Sequence, residues 1–271
     1  MKIDRVVVCL NSSPLYSGMW DIISEVYAKT TSYVPTLIFC GTQKELSREV
    51  KSDFGEVYLL PRHPEVISAR DYDWSVVWSL YWAIANKFPD DVCLFSGIDE
   101  IPISTALWDK IADVDDDKYV IPLGRNPYAK HNLYGIVANG HNVGKGSVYK
   151  EIFEIEDNLQ TELARVWNSR YEFSKRVPQN LFALENLQNW WGLDEAYVSS
   201  KVYDHKDVVF FDDGWAQQEL FAKRICRSTG WSYDEEKVKN NYYWAAHMPR
   251  PLSDPANMQR VEELLRTMGL R

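Results

Sequence analysis

The chain has 271 residues, 45% hydrophobic and 25% charged, enough for one large α/β domain or two small ones. A formal net charge of −9, with no basic stripe, argues against a nucleic-acid backbone as partner. No apolar run is long enough to span a membrane, and none of the four cysteines forms a CxxC pair, which argues against a zinc site of that type.

The apolar run Val6 to Leu10 is too short for a signal peptide, so the expected setting is cytoplasmic. It reads as a fully buried strand, ended by Asn11-Ser12-Ser13-Pro14. Met19, Ile22, Ile23, Val26 and Tyr27 recur at helical spacing. Thr36 to Cys40 is a second strand, Gln43 to Lys51 a polar helix, and Val57 to Leu60 a third strand stopped by Pro61. Residues 74–88 give the clearest helix, with Trp74, Val77, Trp78, Tyr81, Ile84, Ala85 and Phe88 on one wide stripe. Val92-Cys93-Leu94-Phe95 is a fourth buried strand, and Ser96-Gly97 ends it just before two acids. Strand and helix alternate to this point, as in a mostly parallel sheet whose ligands lie beyond the carboxyl ends of the strands.

The second half is less regular. Tyr119 to Leu123 reads as a strand whose Pro122 suggests an edge or a bulge. Tyr134 to Ala138 is another strand, and Tyr149 to Ile155, Leu159 to Trp167 and Asp194 to Tyr203 read as helices. Val208 to Phe211 is a strand and Trp215 to Arg227 a helix. The last helix has Asp254 as cap, Pro255 at its first position and Gly269 past its end. The chain shows no repeat and no linker, so one domain of two lobes is expected, about 1–112 and about 113–271.

Four places carry candidate chemistry. Asp99 and Glu100 follow a strand, where an acid can ligate Mg²⁺ or Mn²⁺; two solvated loop acids are the plainer reading. Gly140 to Ser147 has the glycines of a phosphate loop without Walker spacing, so His141 or Lys145 could touch a ligand, or the segment is a turn into a helix. Trp190-Trp191-Gly192-Leu193-Asp194-Glu195 could set a stacking floor beside a general base, or Asp194 and Glu195 could simply start a helix. His247, in Ala246-His247-Met248-Pro249, is either a metal ligand beside Asp99 or a structural histidine. Asp113 to Asp117 lacks the glycine and distal glutamate of a calcium loop and reads as a solvated turn. The 11 Trp and 16 Tyr are mostly core, though such rings also stack on sugars and bases.

In this order and spacing the segments resemble glycosyltransferases of the GT-A fold, the nucleotide-diphospho-sugar transferase superfamily, and in particular a group from viruses, algae and metagenomes. The likeness rests on Asn11 to Tyr16 after the first strand, Pro35 to Gly41 at the second, and Ser96-Gly97-Ile98-Asp99-Glu100-Ile101-Pro102 at the place of Asp-x-Asp. Gly192 to Glu195 and Ala246 to Pro251 complete it. The resemblance implies a GT-A-like (Rossmann-like) α/β fold, its mostly parallel central sheet flanked by helices, with a nucleotide-binding first half and a mixed acceptor-side lobe. It implies a glycosyltransferase that moves a sugar from a nucleotide-sugar donor to a carbohydrate or other hydroxyl acceptor with Mn²⁺ or Mg²⁺. Asn11, Ser12, Tyr16, Gly97, Ile98 and Asp99, with His141 and Lys145, would face the donor. Asp99, Glu100 and His247 would hold the metal, and Asp194 or Glu195 would serve the acceptor. Gly97 departs from the pattern, because it stands where the family's first Asp would be. A non-catalytic nucleotide- or carbohydrate-binding domain is therefore the alternative, followed by a Mg²⁺-dependent phosphohydrolase.

Overall fold

The apolar run at the start of the chain is strand β1 (Arg5–Leu10), with Val6 to Leu10 all buried. The structure is a computed structural model that describes residues 1–51, 55–62, 74–122, 141–174, 193–202, 205–211, 223–226, 230–248 and 254–271, without the side chains of 170–174 and 193–196.

In chain order β1 is followed by α1 (Met19–Thr30), β2 (Thr36–Cys40), α2 (Gln43–Glu49), β3 (Glu56–Leu60), α3 (Trp74–Lys87) and β4 (Val92–Ser96). Short elements come next: β5 (Glu100–Pro102), α4 (Ala106–Ile111), β6 (Tyr119–Ile121) and β7 (Val143–Lys145). Then come α5 (Gly146–Phe153), α6 (Leu159–Ser174), α7 (Leu193–Val202), β8 (Val208–Phe210) and β9 (Arg224–Ile225). The described chain closes with α8 (Glu235–Lys239), β10 (Ala245–His247) and α9 (Pro255–Thr267).

Among the described residues these strands form a seven-stranded sheet in the order β3-β2-β1-β4-β7-β6-β8 and a small sheet in the order β5-β10-β9. β1 pairs in parallel with both β2 and β4, so the order of strands reverses between β1 and β4. β7 runs antiparallel to β4 and β6, and β8 runs parallel to β6. The large sheet is thus mostly parallel, with its switch point at the carboxyl ends of β1 and β4.

The pleat sends alternate β1 side chains to two cores, which explains why its apolar run is continuous. Val6, Val8 and Leu10 pack with α1, α9 and the small sheet, and Val7 and Cys9 pack with α3, α5, α6 and α7. In the second core the Trp78 ring stacks on Tyr81 with centroids 5.0 Å apart. The Trp78 Nε1–H donates to the buried Glu162 carboxylate at 2.8 Å, and Arg165 pairs with that carboxylate at 2.7 Å. The buried acid is thereby satisfied on both sides, as a charge in an apolar layer must be.

Two expectations change. Pro122 marks neither an edge nor a bulge: β6 lies between β7 and β8 and stops at Ile121, before the proline removes a donor. The helix expected from Trp215 to Arg227 does not run through Arg224 and Ile225, which pair with Ala245 and Ala246 as β9. The strand expected at Tyr134 to Ala138 lies outside the described residues. The last helix caps as expected, with Asp254 Oδ1 accepting from the Ala256 N–H at 2.9 Å.

Candidate active site

β4 delivers Ser96-Gly97-Ile98-Asp99 to the switch point. The Tyr27 hydroxyl donates to Ser96 Oγ at 2.7 Å, tying the end of β4 to α1. Glu100 N–H then donates to the Gly97 carbonyl at 3.1 Å, which closes a tight turn with Asp99 at its tip. Ile98 turns into the core, so its side chain is not offered to a ligand. A Cβ placed on Gly97 would stand 2.9 Å from Asp99 Oδ1, so the bare position leaves the Asp99 carboxylate its room.

β5 leaves the turn and pairs antiparallel with β10, His247 opposite Glu100. One step further, Met248 N–H donates to the Asp99 carbonyl at 2.8 Å. This pairing brings His247 Nε2 to 3.5 Å from Asp99 Oδ2, with the side chains 32% and 16% exposed. Both therefore remain reachable. Two donors each about 2.1 Å from one cation, at an angle of roughly 90–110°, lie about 3.0–3.5 Å apart. The pair thus fits one divalent ion, and a carboxylate with an imidazole suits Mn²⁺ better than Mg²⁺.

The third expected ligand is engaged elsewhere. The Glu100 carboxylate is buried and forms an ion pair with Arg224 of β9. Burial pulls the Arg224 guanidinium down to about 10, and the charge of Asp99 acts against that, so it stays protonated at neutral pH. An acid already neutralised by a buried arginine is a poor further ligand, because releasing it would strand a charge.

The described part of the glycine-rich segment, from His141 on, turns its lysine and its helix start away from Asp99. Lys145 faces Val92 at the amino end of β4, the opposite edge of the sheet from Asp99, with its Nζ 4.0 Å from Asp90. Gly146 is there for packing. A Cβ on it would meet the carbonyl oxygens of Phe88 and Ile84, because α5 starts hard against the end of α3. The first amides of α5 are also spent, on Asp91 O at 3.0 Å and Pro89 O at 2.8 Å.

His141, in contrast, lies at the ligand edge. Beyond the last pair of the ladder, Leu94 with Val143, Phe95 N–H donates to Asn142 O at 2.8 Å, which carries His141 alongside the end of β4. Its ring is 2% exposed and meets Trp244 edge-on, centroids 4.7 Å apart. Burial and the neighbouring His247 push its imidazole down to about 3, and Asp99 pulls the other way, so His141 is neutral at pH 7.

Asn11 and Ser12 follow β1 at the same edge. Asn11 Oδ1 accepts the Ser13 N–H at 3.0 Å in an Asx turn. Ser12 Oγ donates to Glu45 at 2.8 Å and accepts from Arg62, and Arg62 pairs with Glu45 at 3.1 Å. Burial works against the Glu45 carboxylate, but the Thr42 amide, Ser12 and Arg62 outweigh it and hold its pKa below the usual range. Tyr16 is buried in the core. Asp194 and Glu195 lie in the first turn of α7, and their side chains fall outside the described residues, as do Trp190, Trp191 and Gly192.

Sequence reading missed Arg224, Glu45 and Arg62. Only Glu45 carried a signal, the capping box Thr42-x-x-Glu45 that the structure forms. Arg224 sat inside an expected helix, and Arg62 was a lone arginine after a proline.

No family model and no curated protein matches the sequence. Solved structures do match the fold. The galactosyltransferase LgtC, in complex with donor and acceptor sugar analogs, aligns with a TM-score of 0.52 at 10% identity over 98% of this chain and 95% of that one. An active-site mutant of LgtC gives 0.53 at 9% identity over 97% and 99%. The glycosyltransferase GlyE of Streptococcus pneumoniae gives 0.51 at 9% identity over 99% of this chain and 63% of its own. The mostly parallel sheet with flanking helices described above is the GT-A fold of these glycosyltransferases.

Proposed function

We propose that this chain is a glycosyltransferase that moves a sugar from a nucleotide-diphosphate donor to a hydroxyl acceptor with the help of a divalent ion. The observation that carries the reading is the meeting of Asp99 and His247 at the switch point of this fold. A divalent ion bound there would neutralise charge developing on the departing diphosphate. Asp99 would supply the ion with a carboxylate oxygen and His247 with a neutral imidazole nitrogen. Arg224 is neutralised by Glu100, so the positive charge at this edge would come from the ion itself. The Asn11 and Ser12 turn and the Glu45–Arg62 pair, at the ends of β1 to β3, offer hydroxyl and charged groups to the nucleoside. Asp194 or Glu195 would take the acceptor proton in an inverting reaction.

A second reading has a specific observation behind it. Gly97 leaves Asp99 as the one carboxylate of this turn not engaged by an arginine, which suits a domain that binds a nucleotide without turning it over. Incubation with a panel of nucleotide sugars and Mn²⁺ separates the two. Release of nucleoside diphosphate, faster with a sugar acceptor than without, is the expected result. Binding without release from any donor would favour the binder.

A further inference from the structure

A cleft of about 630 Å³ opens between the carboxyl-terminal half of α3 and α5, and the proposed function does not use it. Trp82, Asn86 and Pro89 line one side, Lys150 and Glu151 the other, and Asp157 closes it from the chain after α5. Its place sets it apart from the candidate active site. Pro89 precedes β4 at its amino end, whereas Asp99 follows its carboxyl end. At about 3.3 Å per residue, more than about 15 Å of strand separates the two.

The walls are held in one arrangement by their own hydrogen bonds. The Glu156 carbonyl accepts the Trp82 indole N–H at 3.0 Å and an Asn86 amide N–H at 3.2 Å. The Lys150 ammonium donates to Asn86 Oδ1 at 2.9 Å and pairs with Asp157. Ordering such side chains normally opposes binding, and here folding has already done it.

The lining also points to a ligand class. With its N–H already bonded, Trp82 has only its ring face to offer, a surface for C–H groups. Charges of both signs surround it in equal number. Lys87, with its ammonium 5.5 Å from the centre of the Trp82 ring, and Lys150 stand against Glu151 and Asp157. A balanced set favours neither an anion nor a cation. It suits a neutral molecule with many hydroxyls, since each hydroxyl can donate to a carboxylate and accept from an ammonium or an amide. Apolar C–H faces and many hydroxyls together describe a sugar. The volume also falls within the range of roughly 300–1,000 Å³ usual for small-molecule sites.

We propose that this cleft binds a neutral oligosaccharide, stacked on Trp82 and hydrogen-bonded by Lys150, Glu151 and Asp157, at a site separate from the one holding Asp99. Binding here needs neither a metal ion nor a donor nucleotide, so the inference goes beyond the transferase reading and does not depend on it.

The test is an array of neutral and acidic oligosaccharides probed with the whole chain in chelator, followed by calorimetric titration of the neutral oligosaccharide that gives the strongest signal. Wild type should bind neutral oligosaccharides in preference to acidic ones. Trp82→Ala should lose about tenfold or more in affinity, and Asp157→Ala several-fold, while Asp99→Asn keeps the wild-type value. No binding by wild type, a preference for acidic glycans, or full affinity in folded W82A overturns the proposal. So does a loss of affinity in D99N, which would place the sugar at the other edge. Should W82A fail to fold, Asp157→Ala decides, because that side chain is 88% exposed and its removal leaves the core untouched. The transferase reading is judged apart from all of these, by release of nucleoside diphosphate from a donor sugar.

Discussion

Asp99 and His247 come from distant parts of the chain and stand 3.5 Å apart because β5 and β10 pair antiparallel, with His247 opposite Glu100. The turn before β5 leaves no slack: Gly97 has no side chain, and the Asp99 carboxylate uses the space. Gly97→Ala should push that carboxylate aside. Because Asp99 Oδ1 is the end of a flexible side chain, the fold should survive, with a change in stability below about 1 kcal/mol. Mn²⁺ affinity should fall several-fold. Calorimetry beside a denaturation curve checks both, and an unchanged affinity would count against the geometry.

The Glu100–Arg224 pair spans the small sheet that carries this site. Glu100→Gln would leave Arg224 as an uncompensated buried charge and should cost about 3–5 kcal/mol in urea unfolding. Replacing both, with Glu100→Leu and Arg224→Met, should recover most of the loss. A double variant no better than the single one would show that the pair does more than neutralise itself.

The buried His141 gives the metal-free protein a dependence on pH. Its folded pKa, about 3, lies below the ordinary 6.5, so the unfolded chain takes up the proton first. The stability it contributes is whole above about pH 6.5 and is lost as pH falls toward the folded pKa. Urea midpoints of wild type and His141→Phe, measured with chelator, should diverge as pH drops from about 7 to about 5, the wild type falling faster. Parallel curves would mean that His141 is already charged in the folded state.

The glycine-rich segment after His141 should behave as packing. Gly146→Ala would drive a methyl group toward the Ile84 carbonyl, 2.5 Å away, and into that of Phe88, at a cost of about 1–3 kcal/mol. Lys145→Ala, at the far edge of the sheet, should leave nucleoside-diphosphate affinity unchanged. A loss of affinity there would bring the segment back to the ligand.

What the sequence showed depended on how local the signal was. The strands β1, β2, β3 and β4 and the helix α3 are legible because buried parallel strands are continuous apolar runs and α3 has a wide stripe. Their alternation placed Asp99 on the ligand edge. The small sheet was not legible. β5, β9 and β10 are two or three residues long, too short for any period, and exist through pairing between remote segments. For that reason His247 could be named as a candidate while Arg224 could not. It is also why the ion pair of Glu100 and the edge on which Lys145 lies emerge only in the structure: identity and spacing carry no information about which partner or which edge a side chain meets. The side chains of Asp194 and Glu195 lie outside the described residues.

On the proposed reading, the edge holding Asp99 and His247 binds a nucleoside diphosphate through a divalent ion. Calorimetric titration of UDP and GDP, with Mn²⁺ and with chelator, into wild type and Asp99→Asn tests it most directly. The account predicts that one of the two nucleotides binds wild type at least about tenfold more tightly with Mn²⁺, and that Asp99→Asn abolishes this gain while remaining folded. Binding of neither nucleotide to wild type, or a Mn²⁺ gain that survives in Asp99→Asn, would contradict it.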